Sequence, residues 1–217
     1  MLKEICRTVA MMNLAQALDK EAHDFEQKLC EVERVKSLLS GSISRTDYAA
    51  LLTAFYFIEH QSRLAVTAAQ CILHRRDAHL SKRFQLCADG EQGHAEMALA
   101  DLRDLGVESV FPFSSPKISE YASLLQQEAA QRPHNILGHS FLFETASGIL
   151  FPQVDEVSYP STFVQTHALE DPKHTIAIKQ TVKNVDKRIE ADVKAGLIEF
   201  SRLSGSRFLE LLPLFQA

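Results

Sequence analysis

Residues 164–182 read Val164-Gln165-Thr166-His167-Ala168-Leu169-Glu170-Asp171-Pro172-Lys173-His174-Thr175-Ile176-Ala177-Ile178-Lys179-Gln180-Thr181-Val182. Positions three, four and seven apart share one face of an α-helix. His167, Asp171 and His174 therefore lie on the same face as Val164, Ile178 and Val182, so three ionisable groups replace three core side chains in a row. A solvated polar face would not be flanked by Val and Ile at the same phase. A carboxylate in such a stripe is expensive to bury unless it is paired or coordinates a metal.

The helical period runs through the rest of the chain. Eight glycines and seven prolines cluster between long stretches of 3.6-type periodicity. Helices are expected over about residues 12–39, stopped by Ser40-Gly41-Ser42, and from after Ser44, with Asp47 in the first turn, to about Leu73. A third is expected over 78–105, ended by Gly106, and a fourth over 117–131 after a loop at Pro112 to Pro116. Pro133 opens a fifth that runs to about Leu150, a sixth begins near Ser161, and a seventh has Asp186 as N-cap and runs to about Leu212. Pro172 removes a backbone donor and disfavours helical geometry at Asp171, so a break and a looser half-site are expected there. No segment shows sustained strand alternation with hairpin turns. The expected fold is all-α, a single domain over residues 1–217 with seven or so helices.

The chain is long enough, at 217 residues and 46% hydrophobic, for one well-buried core. Its net charge of −5 is interspersed, which leaves no electrostatic footprint for nucleic acid or an anionic membrane. No apolar run reaches membrane-span length and Met1 to Arg7 lacks a signal-peptide core, so a cytoplasmic protein is expected. Cys6, Cys30, Cys71 and Cys87 show no CxxC pairing and read as reduced, mostly buried thiols. Cys87 lies seven residues before His94 on one helical face, which makes it a candidate for lining a site.

Two further elements repeat the anomaly of residues 164–182. On the third expected helix, Ala88, Glu91, Ala95, Ala98, Leu102 and Leu105 form the inward stripe, and His94 falls within it. On the fifth, Glu144 is in line with Leu137, Phe141 and Gly148. Each has a structural explanation taken alone, since a Glu-x-x-His pair is common on helix surfaces. Together Glu91, His94, Glu144, His167, Asp171 and His174 make a ligand set for two oxygen-reactive metal ions. Carboxylates bridge and neutralise a pair of cations, and neutral imidazoles hold them without adding charge. Zinc would need fewer ligands, and magnesium would use oxygen ligands and water. Iron is the expected metal, with manganese left open. Glu59, one turn beyond Phe55, reads either as a further carboxylate ligand or as the partner of Arg63 at i+4. His60 and His139 read as cavity-lining residues or as hydrogen-bonded core or rim histidines. His74 and His79 read as surface positions, and His134 as a helix start.

Ferritin-like bundles take Glu-x-x-His from two helices, whereas this chain has one such pair and a His-x-x-x-Asp-x-x-His element. The set Glu91-Gln92-Gly93-His94, with Ala100-Asp101-Leu102-Arg103-Asp104-Leu105-Gly106 following, then Leu137-Gly138-His139 leading to Phe143-Glu144, then His167 to His174, resembles the heme-oxygenase-like diiron oxidase and oxygenase superfamily. The likeness covers about residues 40–180. Pro172 is a departure, and the short interval from Glu144 to His167 suggests a trimmed loop at Phe151 to Pro160. The resemblance implies a seven-helix heme-oxygenase-like bundle with two Fe2+ ions and O2 as co-substrate. It also implies oxidative cleavage, decarboxylation or N-oxygenation of a small substrate that carries a carboxylate or an amine. Phe141-Leu142-Phe143 and Ile149-Leu150-Phe151 suggest a partly apolar pocket, so a small aliphatic or aromatic carboxylate, an amino acid foremost, is the expected substrate. A homodimer stays open as the assembly. The alternatives are a cofactorless enzyme of the TenA or PQQ-synthase type on the same fold, a heme-handling protein, and a non-catalytic helical interaction protein. The last would leave the buried carboxylates unexplained.

Overall fold

Asn13, Ser44 and Asp77 each supply a side-chain oxygen to a backbone amide three residues on, at 3.0, 3.1 and 3.0 Å. Each therefore starts a helix by satisfying one of its free first-turn donors. A computed structural model describes residues 13–108, 115–154 and 157–216. Its helices are α1 Leu14–Cys30, α2 Glu33–Leu39, α3 Arg45–Leu73, α4 Ala78–Gly90, α5 His94–Asp104, α6 Pro116–Gln131, α7 Asn135–Leu150, α8 Thr162–Asp186 and α9 Ala191–Leu211. Single 3-10 turns follow α7 at Phe151–Gln153 and α9 at Leu212–Leu214. No strand occurs among the described residues, as expected. Among them, no helix is long and apolar enough to cross a membrane. Met12, Cys6, the segment Met1 to Arg7 and most of the expected loop at Pro112 to Pro116 lie outside the described residues.

The helix count exceeds seven because two expected helices are divided. The first breaks at Val32, an extended N-cap with ψ 125° that lets Val35 and Leu38 of α2 turn into the core. No Gly or Pro marks that break. The third breaks between Gly90 and His94, where Gly93 adopts φ +102°, a conformation that glycine takes without the Cβ penalty. Two other boundaries also differ from expectation. The helix α8 is continuous through Pro172, because burial of Val164, His167, Asp171, Ile178 and Val182 along one face outweighs the lost hydrogen bond. It extends to Asp186 because Val185 continues the same buried face, and Glu190, not Asp186, precedes α9.

Two helices are buried nearly all round. Every α3 residue from Tyr48 to Ile58 is buried, and α7 is buried at Asn135–His139, Phe141, Leu142, Thr145, Ala146 and Leu150. The remaining helices pack on these two. Helices α8, α9 and α1 flank α7, while α4, α5 and α6 flank α3. Close approach of α7 to α8 depends on Gly148, where a Cβ would come 2.5 Å from Thr175 Oγ1 and 3.1 Å from the Asp171 carbonyl oxygen. The seam between the α3 and α7 layers is where the ionisable residues gather.

Candidate metal centre

Five parts of the fold contribute. Glu59 comes from α3, Glu91 from the break after α4, and Glu144 from α7. His94 opens α5, and His167, Asp171 and His174 come from α8. The break at Gly93 frees Glu91 to sit between two groups of ligands. Its Oε2 lies 2.6 Å from His94 Nδ1 and its Oε1 lies 3.2 Å from His174 Nδ1. His174 Nδ1 is also 3.3 Å from Glu144 Oε2 and 3.7 Å from Asp171 Oδ1. On the other side, His167 Nε2 is 3.7 Å from Glu59 Oε1, and the His94 and His167 rings lie 4.6 Å apart. Ligand-type atoms of Glu59, Glu91, His94 and His167 fall within 4.8 Å of one another, as do those of Glu91, Glu144 and His174. The six residues singled out in the sequence are thus brought together, with Glu59 added and Glu91 common to both groups. Of the two readings of Glu59, no pair with Arg63 forms within 4.0 Å; the carboxylate faces His167 instead.

Four buried atoms at this place have no hydrogen-bond partner: His94 Nδ1, His167 Nε2, Asp171 Oδ2 and His174 Nδ1. The short approach of His94 to Glu91 therefore lacks hydrogen-bond alignment. An unsatisfied buried polar group costs about 1–3 kcal/mol, and a few per hundred residues is normal; four in one cluster call for a shared partner. Imidazole nitrogens and carboxylate oxygens aimed at common points suit iron or manganese, so the residues fit a pair of such ions.

The candidate ligands are held from behind. His167 Nδ1–H donates to the Phe163 carbonyl at 2.8 Å, which points Nε2 at the cluster. Phe163 is fixed in turn by its own N–H, which donates to buried Asp101 Oδ2 at 2.9 Å. His94 Nε2 lies 3.3 Å from Glu170 Oε2, so this ring has a carboxylate on each side. Thr175 Oγ1 donates to the Glu144 carbonyl at 2.8 Å, tying α8 to α7. Glu170 and Asp101 escaped the sequence reading. Glu170, 44% exposed at its side chain, looks like ordinary surface charge, and nothing in the sequence links Asp101 to Phe163.

Burial and mutual repulsion rule the electrostatics. Burial, then the neighbouring carboxylates of Glu91, Asp171 and Glu144, drive Glu59 well above the usual carboxylate range. Burial and then Glu144 lift Asp171 to about 8, and burial also raises Glu144. Burial would raise Glu91 too, but His174 and His94 overcome it and hold that carboxyl at about 2. The Glu144 and then the Glu91 carboxylates raise His174 to about 11. Burial lowers His167 to about 4, helped by aromatic walls in which Phe163 lies 4.0 Å and Phe151 5.5 Å from its ring. Without cations, protons must hold this cluster together.

The cluster opens onto a largely apolar pocket. Glu59 and Cys87 line it, as expected of candidate cavity residues. His60 and His139 do not. The His60 ring stacks on Tyr56 at 5.9 Å. His139 is fully buried behind the wall, with Nε2 2.8 Å from Ser62 Oγ, and burial lowers it to about 3. His74 and His79 are exposed, and His134 is half-buried beside Asp77. Cys30, Cys71 and Cys87 are free thiols, but Cys71 is exposed and the other two are only half-buried, contrary to the expectation of mostly buried thiols. Cys71 lies on the outer face of α3, where the helix emerges from the core.

No family model and no curated protein sequence matches the chain. Solved structures do match. A TenA homologue from Pyrococcus furiosus superposes with a TM-score of 0.79 at 12% identity, covering 93% of this chain and 98% of that one. A domain of unknown function with a heme oxygenase-like fold from Shewanella denitrificans gives 0.68 at 19% identity, covering 93% and 92%. Heme oxygenase-1 from Synechocystis, in complex with heme, gives 0.65 at 16% identity, covering 93% and 91%. The chain therefore has the heme oxygenase-like all-α fold, as the motif resemblance implied.

Proposed function

We propose that this chain is an oxygen-dependent oxidoreductase with two non-heme metal ions, iron foremost, acting on a small substrate that carries a carboxylate or an amine, in particular an amino acid. The observation that carries the reading is the Glu91 carboxylate, one oxygen toward His94 and the other toward His174. Glu59, His94 and His167 would hold one ion, and Glu144, Asp171 and His174 the other, with Glu91 shared. Two ferrous ions would supply the electrons and open coordination positions that dioxygen requires. Four carboxylates match the charge of two divalent cations; the sequence reading had set three among the ligands and left Glu59 open between two readings. Asp171, lifted to about 8, and Glu59, raised well above the usual carboxylate range, would hold a cation in their deprotonated forms, so metal binding would release protons. Neutral His167 is already in its ligand form. The rings of Phe55, Phe151 and Phe163 keep water from one side of the site.

A second reading, a cofactorless enzyme on the same fold, gains support from the likeness to TenA homologues. It leaves the four orphaned ligand atoms unexplained. Anaerobic reconstitution with ferrous iron, metal analysis and then O2-uptake measurements with amino and fatty acids separate the two. Two irons per chain and uptake that His94→Ala or His167→Ala abolishes are expected. A parent protein that retains no iron and consumes no O2 would overturn the reading.

A further inference from the structure

The pocket wall contains four carboxylates, Glu59, Glu91, Glu144 and Asp171, and one permanently charged cation, Arg63. Arg63 stands one helical turn from Glu59, the spacing at which an ion pair ordinarily forms. Yet Glu59 turns to His167, and no carboxylate among the described residues lies within 4.0 Å of the Arg63 guanidinium. A half-buried arginine beside four acids, left without any of them, is a charge kept for something that enters the pocket. Ser62, the neighbouring wall residue, has its hydroxyl held by His139 at 2.8 Å. Burial lowers His139 and keeps its ring neutral, and the other arginine near the pocket, Arg83, acts on Cys87 and Glu144 instead. The adjoining wall is apolar: Phe143 packs 4.8 Å from the His139 ring, 5.2 Å from Phe25 and 5.3 Å from Phe208, with Leu29 and Val66 also lining the pocket.

We propose that Arg63, assisted by the Ser62 hydroxyl, anchors the carboxylate of a small acid whose apolar body lies against Phe25, Phe143 and Phe208. The assignment rests on the functional reading above for the metal end of the pocket, but the anchoring itself does not. A guanidinium holds a carboxylate through two parallel N–H donors and stays charged at any working pH. It also repels an ammonium group, so it selects acids over amines by attraction and by repulsion together. The metal-site carboxylates would otherwise push an acid away, and Arg63 offsets that repulsion within the pocket.

The test is calorimetric titration of anaerobically iron-loaded protein with hexanoate, hexanamide and hexylamine, with iron per chain measured on the same samples. Hexanoate should bind roughly tenfold or more tighter than either neutral or cationic analogue. Arg63→Gln should remove that preference and leave iron content unchanged, and Arg63→Lys should restore part of it. Hexanoate preference that persists in Arg63→Gln would overturn the anchor, as would tighter binding of hexylamine or no binding of hexanoate. The two proposals fail separately. Iron retained without Arg63-dependent discrimination sinks the anchor alone, whereas Arg63-dependent discrimination in protein that retains no iron sinks the metal reading alone.

Discussion

Asp171 is 2% exposed and its Oδ2 has no hydrogen-bond partner, and burial lifts its carboxyl to about 8. A side chain retained under those conditions destabilises the metal-free chain. Asp171→Asn should therefore raise the melting temperature in chelator by roughly 2–4 °C, the equivalent of about 1 kcal/mol, and should abolish iron binding; a lowered melting temperature would return Asp171 to a structural role. Glu170 acts through His94, and Glu170→Gln should weaken iron binding roughly 10- to 100-fold, which equilibrium titration against a chelator would show. His139, outside the cluster, gives one pH dependence that does not involve the metal. Its native pKa of about 3 lies below the ordinary 6.5, so as pH falls from 6.5 toward 3 the unfolded chain takes up a proton that the native chain refuses. The His139 contribution is full above 6.5 and falls below it by up to about 1.4 kcal/mol per pH unit. Urea melts of His139→Gln should show a flatter acid limb than the parent; equal slopes would contradict this. At this scale the gathering of these side chains was legible where ionisable groups interrupt an apolar stripe. Glu59 was ambiguous because Arg63 offered it a local partner, and Glu170 was hidden by its exposure.

The helices read from periodicity were right in type and wrong at breaks that tertiary contacts decide. Gly93 was readable as a breaker, but the Glu91/His94 spacing argued for a continuous face; the break instead turns Glu91 toward both groups of ligands. Pro172 argued the other way and lost to the buried face of α8. Its cost should still be present. Pro172→Ala restores a backbone donor and should stabilise the protein by up to roughly 3 kcal/mol with iron content unchanged, whereas a lower melting temperature would show that the proline is needed for the geometry of α8. The contact between α7 and α8 is the more sensitive one. A Cβ on Gly148 would meet Thr175 Oγ1 at 2.5 Å and the Asp171 carbonyl oxygen at 3.1 Å, forcing apart the helices that carry Glu144 and Asp171. Gly148→Ala should cost about 1–3 kcal/mol and weaken iron binding roughly tenfold, although it touches no ligand atom. Iron affinity equal to the parent's would mean that the site does not depend on this approach.

For the whole molecule, two helices buried nearly all round and layers of amphipathic helices against them place a polar cluster at the seam, where it is desolvated and expensive unless cations share it. The all-α class was legible because helical period and the lack of strand alternation agree along the chain. The seating of the layers was not, since it depends on close approaches such as Gly148 on Asp171 and Thr175 that leave no local signature. The pocket was legible least: a pair between Arg63 and Glu59 was one of two open readings, and in the structure Glu59 faces His167. The central claim is that Glu91 joins two metal positions. Anomalous diffraction at the iron edge from crystals loaded anaerobically with ferrous iron tests it directly. The account predicts two iron peaks, one ligated by Glu59, His94 and His167 and the other by Glu144, Asp171 and His174, with Glu91 contacting both. A single peak, or peaks away from Glu91, would contradict it.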